Sequence, residues 1–233
     1  MGVQQMADGK YTILSGNVTV LGNFNPAILR PGFIQKELSN WGLGEGELVS
    51  PEQVPLITDI RYDKVRLFMD PNRMVVEDTK LSAIQDMSSP GIVRDYLNKL
   101  PYTPLQMIGL NFSGEAEPVA LSVVWSNAGD PNRVAKILDK AGHHLPLLTL
   151  SYAFHGLKPL LAEAILVMSE AEGLRIQLTL NKTAESEKTR LLFNAEFQDL
   201  ARNRSRIEFL ADHFLEVGQK FSMLLDLLGE EAT

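Results

Sequence analysis

The side chains best placed by type and spacing to do chemistry are carboxylates with a lysine behind them. Asp59 or Asp63, then Asp70 a strand later, then Glu77-Asp78-Thr79-Lys80 loosely follow the order of two acids and a lysine at the ends of adjacent strands. Such a set holds a magnesium ion and orients a water for attack on a phosphodiester. Asp63, Asp70, Asp78 and Lys80 are therefore the candidate catalytic residues of a metal-dependent phosphodiesterase. Two features weigh against them. Acid-x-lysine matches are common by chance, and the leading Pro-Asp order is here reversed as Asp70-Pro71. Solvent-facing residues of a hairpin account for the same pattern.

Other chemistries find less support. His143 and His144 are adjacent, so on a strand they point to opposite faces, and His155 follows later. No histidine pair has the i, i+4 spacing of a helical metal site, and His213 beside Asp212 and Glu216 reads as an exposed helix face. No metal and no cofactor is expected. Gly42, Gly44 and Gly46 alternate, but they follow a predicted helix and carry Glu45 and Glu47, which repel phosphate. They read as a flexible loop. No nucleophile elbow, Walker lysine motif or His-Glu-x-x-His occurs. Arg202, Arg204 and Arg206 form the one local basic cluster, read as a solvated helix entrance. Trp41, Trp125 and Tyr152 mark a second class of function, a cleft between two halves that takes a small molecule or peptide.

Composition narrows the field. Of 233 residues 45% are hydrophobic and 22% charged, ordinary for a packed globule. The absence of cysteine removes disulfide scaffolds, thiol nucleophiles and cysteine-held metals. A formal charge of −7 argues against nucleic acid as the main partner. No apolar run is long enough to span a bilayer, so no membrane partner is expected. Residues 1–9 lack the basic and apolar regions of a secretory signal and read as a disordered lead-in, with the cytoplasm as the expected compartment.

The elements that must carry these residues alternate without strict order. Tyr11 to Leu14 and Asn17 to Phe24 read as strands joined through Ser15-Gly16, followed by a short helix starting near Pro31 with Phe33, Ile34 and Leu38 inward. Trp41 to Pro55 reads as a surface loop. Strands follow at 55–62, 65–69 and 74–77, the last two joined by Asp70-Pro71-Asn72-Arg73, whose residues suit a type I turn. Ser89-Pro90 opens a helix with serine as cap, and 105–112 is a strand. The second half gives strands at 119–125, 145–154, 160–169, 174–181 and 190–198, with a helix at 130–142. A long helix over 205–228 ends the chain. The fold class is α+β. The order suggests two similar strand-helix-strand halves, 10–116 and 117–233.

A strand followed by Asn25-Pro26, the segment Gly109-Leu110-Asn111-Phe112, and a strand leading into a long C-terminal helix together resemble a sporadically distributed family of bacterial proteins. That family has no assigned activity, so the resemblance implies no catalytic residues.

The terminal helix carries the strongest pattern. Ile207, Leu210, Phe214, Val217, Phe221, Leu224 and Leu228 are spaced 3, 4, 3, 4, 3, 4, a heptad stripe beside a charged row of Glu208, Asp212, Glu216 and Lys220. Covering the protein's own sheet is the commoner use of such a stripe. Pairing with the same helix of a second subunit is the use that carries a function. Met223, Leu225 and Leu227 widen the apolar surface near the end, favouring contact with two surfaces at once. The leading expectation is a non-enzymatic, self-associating interaction protein, a dimer through these residues. By association alone, such a protein fits an accessory subunit of a bacterial stress or defence system, with an unknown protein partner as a further option.

Overall fold

In the computed structural model the described residues are 11–49, 56–81, 83–116, 147–155, 158–169, 174–182, 189–198, 200–201 and 204–229. The elements are β1 (Tyr11–Gly22), α1 (Pro31–Glu37), β2 (Glu47–Leu48), β3 (Thr58–Arg61), β4 (Val65–Asp70) and β5 (Arg73–Asp78). After them come α2 (Ser89–Lys99), β6 (Leu105–Ala116), β7 (Leu147–His155), β8 (Lys158–Ser169), β9 (Leu174–Lys182), β10 (Thr189–Phe197) and α3 (Ser205–Gly229). The fold is α+β with antiparallel pairing, as the pattern predicts. The lead-in, the predicted strand at 119–125 and the predicted helix at 130–142 lie outside the described residues.

Two compact units divide the chain. One gathers Leu14–Asn111 with Glu196–Leu215, and the other gathers the described residues of Phe112–Ala195 with the start of β1 and the later part of α3. In the first unit the strands run in the order β2-β3-β4-β5-β1-β6. The β4–β5 hairpin has the predicted turn, with Asp70 Oδ1 accepting the N–H groups of Asn72 and Arg73 at 2.8 and 3.0 Å. That carboxylate satisfies turn donors that would otherwise face water, which fixes the hairpin register. Ser15-Gly16 does not break β1, in contrast to the expectation. The strand runs through both, because Gly16 pairs with Asp78 and a side chain there would meet Met87 at 2.8 Å.

Alternation decides which sheet face is covered. Val18, Val20, Ile60, Leu67, Met69, Met74 and Val76 are buried on one face. Ile34 of α1 and Leu38 just after it, Ile92, Val93, Tyr96 and Leu97 of α2, and Ile207 and Leu210 of α3 are buried with them in the core. The Tyr96 hydroxyl reaches the Met69 sulfur at 3.8 Å, and burial pushes its pKa up to about 12. On the opposite face the half-exposed residues form polar rows. Register sets Arg66, Glu77 and Asn17 side by side across β4, β5 and β1. Arg66 grips Asp59 with two bonds of 2.8 and 2.9 Å, and Asn111 donates to Asn17 at 3.0 Å. Phe68 lies under the guanidinium groups of Arg66 and Arg73, 5.8 and 5.1 Å from its centroid. One face is thus dry and the other internally paired and wet.

In the second unit, β7, β8, β9, β10 and the end of β6 lie in the order β6-β10-β9-β8-β7. The predicted strands at 160–169 and 174–181 pair antiparallel as β8 and β9, and β7 pairs with β8 through a register shift between Ser151 and Tyr152. Phe112 and Phe193 meet there at 5.7 Å between centroids.

A segment with no predicted structure is held to α2 by an aromatic ring. After α1 a short 3-10 turn, Ser39–Trp41, places the Trp41 ring on Gly91, where an added Cβ would lie 2.2 Å from the indole. Gly91→Ala should therefore eject Trp41. In a Trp125→Phe background the emission should shift to the red and the unfolding free energy should fall by about 1–3 kcal/mol. An unchanged spectrum and midpoint contradict the packing.

Candidate functional site

The four catalytic candidates sit on one hairpin but not at one place. Asp70 pairs with Arg73 at one end of β4–β5, while Val65 pairs with Asp78 at the other. Five residues of strand separate them by about 17 Å. Donors to one ion must lie within about 2.6 Å of it, so Asp70 and Asp78 do not share one.

Asp70 and Asp78 are engaged elsewhere, and Asp63 and Lys80 with each other. Asp78 is 4% exposed. Its carboxylate accepts the N–H and hydroxyl of Ser88 at 3.0 and 2.7 Å and the N–H of Ser89 at 3.1 Å. Those donors belong to the first turn of α2, where the helix dipole favours an anion. The predicted cap is thus inverted: no serine side chain caps the helix, and a carboxylate from β5 does so. Asp70 serves its turn and accepts Arg73 Nε at 2.8 Å. Asp63 and Lys80 form a solvent-exposed pair, in which the hydrogen bond and charge of Lys80 hold the Asp63 carboxyl below its ordinary range.

Of the basic cluster at the start of α3, Arg204 and Arg206 are engaged by the fold. Arg204 reaches three backbone carbonyls, those of Thr103 at 3.0 Å and of Leu97 and Leu100 at 2.9 and 3.4 Å. It therefore closes the C-terminal end of α2, where a cation is favoured. Burial lowers its pKa, but a guanidinium keeps its charge. Arg206 lies over the Phe197 ring at 5.4 Å and donates to the Gln198 carbonyl. Arg202 is outside the described residues. At Arg204 the solvated entrance is replaced by a clamp: the carbonyls of Leu97 and Leu100 already take the backbone N–H groups of Leu100 and Thr103, and Arg204 adds a charged donor to each.

On α3 itself, Ile207, Leu210 and Val217 are buried within the chain and Phe214 is half-buried. Two members of the charged row, Glu208 and Asp212, face α2: Arg94 contacts Asp212 at 3.3 Å and Glu208 at 3.9 Å, and Asn98 donates to Glu208 at 2.9 Å. His213 stacks on Phe209 at 4.3 Å and bonds the Phe209 carbonyl, using a ring nitrogen within its own helix. The backbone of α3 continues to Gly229, and the side chains of Phe221, Leu224 and Leu228 lie outside the described residues.

The alternating glycines do separate jobs. Gly42 and Gly44 have φ of 56° and 75°, the left-handed region, so the backbone requires glycine there. Gly46 is crowded by Tyr62. Of the proposed cleft, Trp41 donates from Nε1 to Asp95 at 2.9 Å. Trp125 and the side chain of Tyr152 lie outside the described residues. Among the described residues no group of three His, Asp or Glu side chains converges as for a metal. No helix among them is long and apolar enough to cross a membrane.

No protein-family model and no curated protein matches the chain. Among solved structures, the rolling circle replication initiator protein from Geobacillus stearothermophilus is similar over 87% of this chain and 79% of its own, with 9% identity and a TM-score of 0.36. A likeness of that degree transfers no role to this chain.

Two measurements check the assignment of these charges to helix ends. Asp78→Ala leaves two buried N–H groups without an acceptor and should cost about 2 kcal/mol in chemical unfolding, with Asp78→Asn costing less because one oxygen remains. Arg204→Ala should cost about as much, since three carbonyls lose a charged donor. Losses below 0.5 kcal/mol, on the order of a surface substitution, contradict both roles.

The Asp95 carboxyl adds a pH dependence. Burial raises its pKa, but bonds from Asn40, Trp41 and Arg94 with the Arg94 charge outweigh that and hold it below the ordinary range. A depressed carboxyl stabilises the fold above its unfolded pKa, and that contribution fades as pH falls through the folded value. Acid unfolding below about pH 4 should therefore be shallower in Asp95→Asn than in the parent chain. Equal slopes contradict it.

Proposed function

We propose that this chain is a non-enzymatic interaction protein that joins a second copy of itself through the last turns of α3. One observation carries the reading. α3 is a single helix of 25 residues, about 37 Å long, and its last turns are densely apolar. From Phe221 to Leu228, six of eight residues are apolar, with Ser222 and Asp226 the exceptions. At about 100° per residue these six span an arc of about 200°, wider than one packed surface covers, with Ser222 and Asp226 together on the remaining side. A second surface of like character removes the remainder from water.

The distribution of polar groups supports the same reading. Asp78 and Arg204 are engaged at helix ends and Asp70 in a turn, so the side chains that suggest a chemist serve as fasteners. The portion of the stripe at Ile207, Leu210 and Val217 belongs to the chain's own core. The joining surface is therefore assigned to Phe221, Leu224 and Leu228, with Met223, Leu225 and Leu227 at its flanks.

Ending the chain after Gln219 should halve the mass measured by light scattering while the circular dichroism of the sheet persists. Leu224→Asp with Leu228→Asp, which keeps the length, should do the same. A mass unchanged in the double substitution contradicts the proposal.

A further inference from the structure

The segment from Gly42 to Gly46 carries two opposed constraints. Its ends are fastened. At one end Trp41 lies on Gly91 and, with Asn40, donates to the same Asp95 oxygen at 2.9 and 3.1 Å. At the other, β2 holds only two residues of β3, with Val49 N–H donating to the Asp59 carbonyl at 2.8 Å beyond them. Between these points Gly42 and Gly44 take positive φ with nothing within 4 Å of an added Cβ, so conformation and not crowding keeps them glycine.

Gly46 is the reverse case. A Cβ there would lie 2.6 Å from Cε1 and Cζ of Tyr62 and 2.9 Å from Ile60 Cγ2. The backbone at 46 thus rests on the ring carbon that bears the hydroxyl. Tyr62 is 8% exposed, and its hydroxyl has no hydrogen-bond partner among the described residues. Burying a hydroxyl without a partner forfeits its bond to water and disfavours the covered arrangement. Ring packing and the β2 pairing favour it. A segment with glycine hinges, one firm end and one short strand is where such opposed terms are resolved by motion.

We propose that residues 42–46 form a strap that opens and closes over Tyr62, with Trp41 as its fixed end and β2 as the end that lets go. The open form presents the Tyr62 hydroxyl on the sheet edge that already exposes Val49, Leu56 and Ile57, 41%, 62% and 41% accessible. The closed form withholds it.

Amide hydrogen exchange of the full chain tests the strap, read on peptides covering 43–49 with peptides covering 65–78 as the internal control. Tyr62→Phe removes the hydroxyl that closure strands, so exchange at 43–49 should slow about fivefold or more while the control is unchanged. Gly46→Ala drives a methyl into the ring and should speed exchange at 43–49. Trp41→Phe, which loses the Nε1 donor, should speed it as well. Exchange at 43–49 that is equal or faster in Tyr62→Phe overturns the proposal, and so does exchange unmoved by Gly46→Ala.

Discussion

Both ends of α2 are completed by charged side chains from distant parts of the chain, and the first unit is organised around that requirement. A helix leaves donors bare at its start and acceptors bare at its finish, and beside a core those groups need partners. Asp78 arrives from the end of β5 and takes the donors. Arg204 arrives from the residues before α3 and donates to the acceptors. The signs match the helix dipole at each end. Three elements distant in sequence are thereby tied to one helix: the hairpin β4–β5, the turn before β6, and the start of α3.

That arrangement bears on function by elimination of candidates rather than by discovery of a catalyst. A carboxylate aimed at backbone donors in a buried place is not available to hold a metal ion, and a guanidinium spread over three carbonyls is not available to a phosphate. The wet face of the sheet tells a similar story, since Arg66 and Asp59 are occupied with each other. Polar residues that attract the eye in the sequence therefore act as structural fasteners.

Much of the architecture was legible because it is written in local chemistry. Asp70-Pro71-Asn72-Arg73 announces its turn, Pro31 and Pro90 announce helix starts, and the alternation of Leu174, Leu178, Leu191 and Phe193 announces half-buried strands. Ser15-Gly16 misled, since a glycine inside a strand gives the same local signal as a turn, and only the neighbour Met87 explains it. The strand order, with β1 between β5 and β6, depends on pairings far apart in sequence and has no local signature. The site was less legible still. Nothing adjacent to Asp78 indicates Ser88 as its partner, nothing near Arg204 indicates Leu97, and Trp41 finds Gly91 across half a domain of sequence. Spacing reveals which face a residue takes but not which long-range neighbour meets it.

The chain contains no cysteine, so Ser222→Cys gives one attachment point for a nitroxide and a distance free of background labels. Pulsed electron resonance on that labelled chain reads the ends of α3 directly. Two copies meeting there give a well-defined separation set by the about 10 Å between packed helix axes plus the label tethers. A signal that decays without any such separation, at concentrations where the label is rigid, leaves α3 serving its own subunit alone and contradicts the account.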